Sequence, residues 1–352
     1  MKYSIIIPVY NRPDEVRELL GSLAGQPTHE FEVMVVEDGS SVPCGEVVVQ
    51  FRDRLSIQYL VKANGGPSAA RNYGAEHAEG DYLLILDSDV IVPEGYIAAI
   101  DKYLAEDPAD AFGGPDRAHP SFTPVQKAIS YAMTSFFTTG GIRGGKKKLD
   151  KFYPRSYNMG VRREVFETLG GFADDMRFGE DIDFSIRVLE HGYRSCLFPD
   201  AWVYHKRRTD LRKFFRQVHN SGIARINLYK KHPFSLKLVH LLPAVFTVGV
   251  VLLAVLGIFW HKFWWPIVLY ALLIFVDATM QNFNPLPSCC STGNKALDNK
   301  KMFLRASKIG LLAVAASFVQ LIGYGTGFLR AWWERSVLGH GPLEAFRKNF
   351  YK

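Results

Sequence analysis

Two carboxylates spaced two apart, Asp87-Ser88-Asp89, follow the apolar run Tyr82-Leu83-Leu84-Ile85-Leu86 without a gap. Hard oxygen ligands in that place suit Mg2+ or Mn2+ bridging a diphosphate, and two buried carboxylates so close together need a cation beside them. Away from such a run, the same two acids read as a solvated loop. A second acidic group, Gly179-Glu180-Asp181-Ile182-Asp183, opens a helix running to about His191. Acids at a helix start are favoured by the macrodipole whatever their function, and a carboxylate there can equally serve as a general base. Glu37-Asp38-Gly39-Ser40 closes another apolar run, where a carboxylate can accept hydrogen bonds from a base or ribose; taken alone, Asp-Gly-Ser is a turn. Asn64-Gly65-Gly66-Pro67-Ser68-Ala69-Ala70-Arg71-Asn72 sets a glycine turn before a helix whose free N–H groups can face an anion, with Arg71 one turn in. It lacks both the phosphate-loop lysine pattern and GxGxxG spacing, which weighs against ATPase and dehydrogenase readings.

These groups need elements to hold them. Tyr3 to Val9 and Phe31 to Glu37 are β-branched apolar runs, and Asp14 to Ala24 between them has helical spacing at Val16, Leu19, Leu20 and Leu23, with Pro13 near its start. Ile57 to Val61 predicts another strand, Pro67 to His77 another helix, and Tyr82 to Leu86 a strand that ends on the paired aspartates. Such alternation with short connections implies an α/β fold, an open and mostly parallel sheet with helices on both faces. Ligands in these sheets bind beyond the carboxyl ends of the strands, where the acidic groups fall.

The 352 residues are 48% hydrophobic and 22% charged, which excludes a disordered chain. Residues 1–205 hold 21 Lys/Arg against 30 Asp/Glu, and residues 206–352 hold 21 against 5. Leu238 to Trp260 and Ile309 to Leu329 contain no charged side chain, and Phe263 to Phe283 contains only Asp277, so three segments have the length of a membrane span. Trp260, Trp264, Trp265, Trp332 and Trp333 flank them, as expected of indoles at headgroup level. Lys206 to Lys237 carries ten Lys/Arg and one acid, Asp210, and reads as a cytoplasmic linker on anionic lipid. Because the patch abuts apolar spans, membrane lipids are the expected partner and nucleic acid is not. Phe214, Phe215 and Val218 at near-helical spacing make part of it an amphipathic helix in the interface. Positive-inside bias conflicts with three full crossings, since cations lie both at Lys295 to Lys308 and in the tail; Gly310, Gly323, Gly325 and Gly327 suit a bent or re-entrant third segment as an alternative to a span. The division expected is 1–205 catalytic, 206–237 basic linker and 238–352 membrane region with two or three crossings and a basic tail. Four cysteines without CxxC spacing argue against a disulfide framework or zinc, and the short run Ile5 to Val9 is no signal peptide.

The ordered set Ser4-Ile5-Ile6-Ile7-Pro8-Val9-Tyr10-Asn11, Val36-Glu37-Asp38-Gly39-Ser40, Ala69-Ala70-Arg71-Asn72-Tyr73-Gly74 and Asp87-Ser88-Asp89 resembles the start of a family 2 glycosyltransferase of GT-A fold. Asn158-Met159-Gly160-Val161-Arg162-Arg163, Gly170-Gly171-Phe172, Gly179-Glu180-Asp181 and Pro199 to His205 continue it in order, so the resemblance covers about residues 3–205. It implies that Pro8, Tyr10 and Glu37 or Asp38 hold a uridine-type nucleoside, that Arg71 faces the diphosphate, and that Glu180 belongs to the nucleotide-sugar site. Asp89 would bind Mg2+ or Mn2+, Asp87 would touch the ribose or the metal, Asp181 would be the base, and His205 would add a metal or phosphate contact. The membrane tail is similar to bacterial members that act on lipid-linked or cell-surface glycans, which places the chain in the inner membrane with its catalytic part cytoplasmic. The QxxRW motif of processive synthases is absent, so single addition is favoured.

The implied reaction moves a sugar from a nucleotide-sugar donor to an acceptor hydroxyl with inversion. A membrane-anchored nucleotide-sugar or lipid-phosphate binding module without turnover is the rival reading, and the presence of both paired aspartates and Asp181 argues against it. A nucleotidyltransferase should show a basic glycine-rich loop that Ile7-Pro8-Val9-Tyr10 does not supply. Gly113, Gly114, Gly140, Gly141, Gly144 and Gly145 bracket a segment expected to close over the acceptor, and Lys146-Lys147-Lys148 reads as a lipid-phosphate contact or a solvated loop.

Overall fold

The computed structural model describes residues 2–139, 152–176, 178–283 and 295–343. In chain order come β1 (Tyr3–Val9), α1 (Pro13–Ala24), β2 (Phe31–Asp38), α2 (Gly45–Val49), β3 (Ser56–Lys62), α3 (Pro67–Glu76), β4 (Tyr82–Leu86) and β5 (Val90–Ile91). They are followed by α4 (Tyr96–Glu106), β6 (Ala111–Gly113), β7 (Asp116–Arg117), α5 (Pro124–Thr134), α6 (Phe136–Thr139), β8 (Asn158–Arg162), α7 (Arg163–Thr168) and α8 (Glu180–Glu190). The chain continues through β9 (Ser195–Leu197), β10 (Val203–His205), α9 (Leu211–Lys231), α10 (Leu242–Phe259), α11 (Trp265–Asn282) and α12 (Lys295–Trp332). Two compact units result: one from the described parts of Met1–His119 and Gly144–Lys206, the other from those of Pro120–Arg143 and Arg207–Ala345.

The sheet unit is α/β, as its alternating pattern predicts. Seven strands lie in the order β3-β2-β1-β4-β8-β6-β9, parallel except where β8 runs against β4 and β6. Side chains of β1 alternate between two cores. Ile5 and Ile7 pack with Leu19, Leu20 and Leu23 of α1, while Ile6 joins Met34, Val36 and Ala70 on the other face. Helix α3 lies close on that second face because Gly74 has no side chain: a Cβ there would stand 2.7 Å from Ile6 Cγ2.

A second, three-stranded sheet, β5-β10-β7, pairs His205 with Val90 and Val203 with Asp116. Its strands are too short to show any period in the sequence. Gly114 sits beside this sheet, where a Cβ would stand 1.6 Å from the Ala201 carbonyl oxygen. Gly113, at the end of β6, is likewise confined by the Asn158 carbonyl. These two glycines therefore admit a close backbone rather than hinge a closing segment. Gly140, Gly141, Gly144, Gly145, Lys146, Lys147 and Lys148 lie outside the described residues.

In the helical unit three helices are long and apolar enough to cross a membrane: Leu238–Phe259, His261–Asn282 and Asn299–Val337. Trp260, Trp264, Trp265, Trp332 and Trp333 are exposed beside them. The bent form that was the alternative to a span in the third segment is absent, since α12 is one continuous helix of 38 residues. Its glycines serve close packing instead. Cβ atoms on Gly310, Gly323, Gly325 and Gly327 would meet Thr279 Oγ1 at 2.2 Å, Val218 Cγ2 at 2.5 Å, Thr247 Oγ1 at 2.1 Å and the His219 carbonyl at 1.9 Å. The amphipathic helix expected in the linker is α9, but its apolar face does not await lipid: Phe214 and Val218 are buried against α5, α11 and α12, and only Phe215 stays exposed. Asp277, the one acid of the second span, accepts hydrogen bonds from Tyr131 Oη (2.5 Å) and Gln281 Nε2 (2.9 Å).

Candidate active site

Strands β1, β2 and β4 end side by side, and the acidic groups follow them directly. The turn after β4 carries Asp87 and Asp89. Antiparallel pairing of β10 with β5 brings His205 beside this turn, with His205 Nε2 at 3.3 Å from Asp89 Oδ1. One ligand atom from each of Asp87, Asp89 and His205 lies within 4.8 Å of the others. Two carboxylate oxygens and an imidazole nitrogen at that spacing fit Mg2+ or Mn2+, the latter favoured by the nitrogen.

Arg71 joins this turn to the other acidic group. It projects from α3 and is buried, with Nη2 at 2.8 Å from Asp87 Oδ1 and Nη1 at 2.8 Å from Glu180 Oε1. Burial alone would lower its pKa, but the charges of Asp87 and Glu180 raise it further above the ordinary value. Arg71 was expected to face a diphosphate; both terminal nitrogens instead fasten the turn after β4 to the start of α8. Its Nε is buried without a hydrogen-bond partner among the described residues.

Helix α8 begins at Gly179, whose φ of 86° is left-handed backbone that glycine adopts without strain. Glu180 and Asp181 follow, both buried. Burial and the neighbouring Asp181 charge raise the Glu180 carboxyl, against the pull of Arg71. Burial would raise Asp181 too, yet the Arg155 charge and hydrogen bond, with the Ser156 N–H and Arg71, hold it below the ordinary aspartate value. Arg155 Nε lies 2.6 Å and Ser156 N 3.3 Å from Asp181 Oδ2, and Ile182 N donates to Oδ1 at 2.8 Å.

Glu37 and Asp38 are placed at the end of β2 as expected, but both carboxylates are already engaged. Asp38 Oδ1 accepts from Lys62 Nζ (3.0 Å) and Gly65 N (2.8 Å), and Oδ2 from Gly66 N (2.8 Å) and Asn64 Nδ2 (3.3 Å). These four donors fill the acceptor capacity of the group. Glu37 accepts from Ser40 Oγ, Cys44 N (2.7 Å) and Tyr59 Oη (3.1 Å). Each acid thus ties down a loop, Asp38 the turn before α3 and Glu37 the turn before α2. Pro8 lies in β1 opposite Val36, and Tyr10 is half-buried just past the strand end.

Four participants escape the motif reading. Arg12 pairs with Asp89 Oδ2, held there by a turn in which Asn11 has φ of 54° and accepts from Val42 N at 2.8 Å. A cation just past β1, at the binding end of the sheet, is the signal that points to it. Arg155 has no local signature, since β8 and the segment before it reach the site only through antiparallel pairing with β4. Asp116, 3.9 Å from His205 Nδ1, and Tyr157, stacked on the His205 ring at 4.9 Å, depend on the short three-stranded sheet and on that same segment.

Residues 4–170 match the family model described as Glycosyl transferase family 2. Over 217 residues it is 27% identical to the uncharacterized glycosyltransferase EpsJ of Bacillus subtilis, covering 59% of this chain and 62% of EpsJ. Over 93 residues it is 42% identical to the poly(ribitol-phosphate) beta-N-acetylglucosaminyltransferase TarS of Staphylococcus aureus, covering 25% of this chain and 16% of TarS. The chain therefore spans less than two thirds of either relative. Among solved structures, the mannosyltransferase PcManGT from Pyrobaculum calidifontis, in complex with GDP-Man and Mn2+, shares the fold at a TM-score of 0.56 and 19% identity, over 90% of this chain and 86% of that one. The paired aspartates, Arg71 and the Glu180-Asp181 pair make one continuous polar cluster.

Proposed function

We propose that the chain is an inverting glycosyltransferase that moves a sugar from a nucleoside diphosphate, of uridine type as the resemblance implies, to a hydroxyl of a lipid-linked or cell-surface glycan. The observation that carries this reading is the bridge Asp87, Arg71, Glu180, which draws the turn after β4 and the first turn of α8 together at the carboxyl edge of the parallel strands. In the reaction the acceptor oxygen bonds to the anomeric carbon while the bond from that carbon to the diphosphate oxygen breaks. Its electron pair leaves with the diphosphate, and the acceptor proton passes to an Asp181 carboxylate oxygen. Asp181 is placed for this in the first turn of α8, beside the Glu180 that Arg71 ties to Asp87. Asp87, Asp89 and His205 would hold Mg2+ or Mn2+, which when bound neutralises charge on the leaving diphosphate. Arg71 and Arg12 position the two aspartates, and Pro8 and Tyr10 would contact the nucleoside, as the resemblance implies.

The chain is further assigned to the bacterial inner membrane as a multi-pass protein, with catalytic residues within 1–205 on the cytoplasmic side, a basic linker at 206–237 and a membrane region from 238 to 352. Membrane lipids are its surroundings, and nucleic acid is not a partner. Incubating detergent-purified protein with a panel of nucleotide sugars, with and without a lipid extract, tests the activity. Acceptor-dependent release of nucleoside diphosphate from one donor is expected. Tight donor binding without release under any combination would favour the non-catalytic binding module instead.

A further inference from the structure

Helix α12 has the composition of a membrane span, yet its neighbours within the helical unit place it elsewhere. Gly325 lies against Pro243 in the first turn of α10, where an added Cβ would be 2.4 Å from the Pro243 carbonyl oxygen. Gly310 lies against Thr279 and Phe275 toward the end of α11, where Phe275 O would be 3.0 Å from such a Cβ. Pro243 marks entry into the α10–α11 hairpin and Thr279 its exit. If both helices cross a bilayer, these two residues sit in the same leaflet. The helix from Gly310 to Gly325, roughly 22 Å at 1.5 Å per residue, runs from one to the other. At its middle, Phe318 touches Phe246 of α10 and Tyr270 of α11, with ring centroids 5.8 and 5.7 Å apart. Both ends of this stretch therefore lie in one leaflet, with Phe318 between them reaching Tyr270 near the start of α11.

Helix α9 supplies an independent argument. It runs beside the second half of α12 in the same direction: Val218 meets Gly323, Gly222 meets Tyr324 and Phe328, and Asn227 accepts a hydrogen bond from Arg335 at 2.8 Å. It carries Arg212, Lys213, Arg216, Arg225, Lys230 and Lys231. Each cation at the centre of a bilayer costs about 2.5–3.5 kcal/mol or more, so such a helix stays at headgroup level and holds its partner there. Cations also bracket the apolar stretch of α12, with Lys300, Lys301, Arg305 and Lys308 before it and Arg330 and Arg335 after. A crossing would divide them between the two sides, whereas a helix along the surface keeps all of them on one.

We propose that α12 lies along the membrane surface beside α9, in the leaflet from which the linker enters, and that only α10 and α11 cross. The chain beyond α12 then faces the linker side, which removes the conflict between three apolar segments and positive-inside bias. The inference rests on the assignment of α10 and α11 as membrane-spanning. Its test uses the full chain in sealed vesicles with Cys289 and Cys290 replaced by Ser; Cys44 and Cys196 are buried. Arg212→Cys, Lys262→Cys and His340→Cys, all at exposed positions, are treated separately with a membrane-impermeant maleimide. Labelling of the first and third variants from one side and of Lys262→Cys from the other is expected. If His340→Cys labels from the side of Lys262→Cys, α12 crosses and the proposal is wrong. If all three label from one side, the assignment of α10 and α11 as spans fails instead.

Discussion

In the sheet unit most acids of the candidate site are matched by charge, Asp87 and Glu180 by Arg71, Asp181 by Arg155, Asp38 by Lys62 and Asp89 by Arg12, while Glu37 is held by neutral donors. In the helical unit, close approach replaces charge. Gly222, Gly310, Gly325 and Gly327 let backbones touch, and the one acid of the second span is satisfied by neutral donors, Tyr131 and Gln281. The difference follows from what each region must hold. A site for charged substrates needs carboxylates kept ionised and aimed, which ion pairs with fixed partners achieve. Apolar helices gain little from burying side chains among other apolar groups, so their specificity comes from shape and from a few hydrogen bonds.

If that contrast is right, single substitutions should act through different terms in the two units. The largest effect on stability is expected for Arg71→Met, which leaves Asp87 and Glu180 facing each other without a cation. Breaking a buried pair costs about 3–5 kcal/mol, to be read from denaturant unfolding in detergent. A loss within the range of an ordinary surface change would mean that the bridge is not what organises the site. Next comes Gly327→Val in the helical unit, where overpacking against the His219 carbonyl should cost about 1–3 kcal/mol. Should this variant outrank Arg71→Met, the contrast would be reversed.

Arg155→Gln addresses pH dependence. The Asp181 carboxyl lies below its ordinary value, so the stability it contributes is complete above the unfolded-state value of about 3.9 and is lost as pH falls through the folded one. Removing the guanidinium lets burial dominate, and the acid limb of the pH profile of turnover should move to higher pH. An unchanged limb would detach Asp181 from that step or Arg155 from Asp181. The smallest effect belongs to Tyr131→Phe, which removes one donor from Asp277 and should cost about 0.5–1.5 kcal/mol in the same unfolding measurement.

Much of the sheet unit is legible in the residues. β1, β2 and β4 are apolar runs, β2 ending on Asp38 and β4 leading into Asp87, and their burial on both faces leaves no amphipathic ambiguity. What stays hidden is whatever depends on pairing between distant segments. Strands β5, β7 and β10 have two or three residues each, yet they bring His205 and Asp116 to Asp89. Whether an acid is vacant or engaged is equally invisible, because Asp38 is saturated by backbone N–H groups that no motif records. In the helical unit, hydropathy identifies the apolar segments but not their partners, and a glycine read as a bend proves to be a contact.

The central claim is a division of labour: Asp87, Asp89 and His205 serve the metal and the donor, while Asp181 serves the acceptor proton. Its most direct test is calorimetric titration of a nucleoside diphosphate with Mn2+ into the wild type, Asp89→Asn and Asp181→Asn, with transfer measured on the same preparations. Asp181→Asn should bind as the wild type does while transfer falls by about 10²–10⁴, and Asp89→Asn should lose the Mn2+-dependent part of binding. Retention of Mn2+-dependent binding by Asp89→Asn, or its loss in Asp181→Asn, would contradict the account.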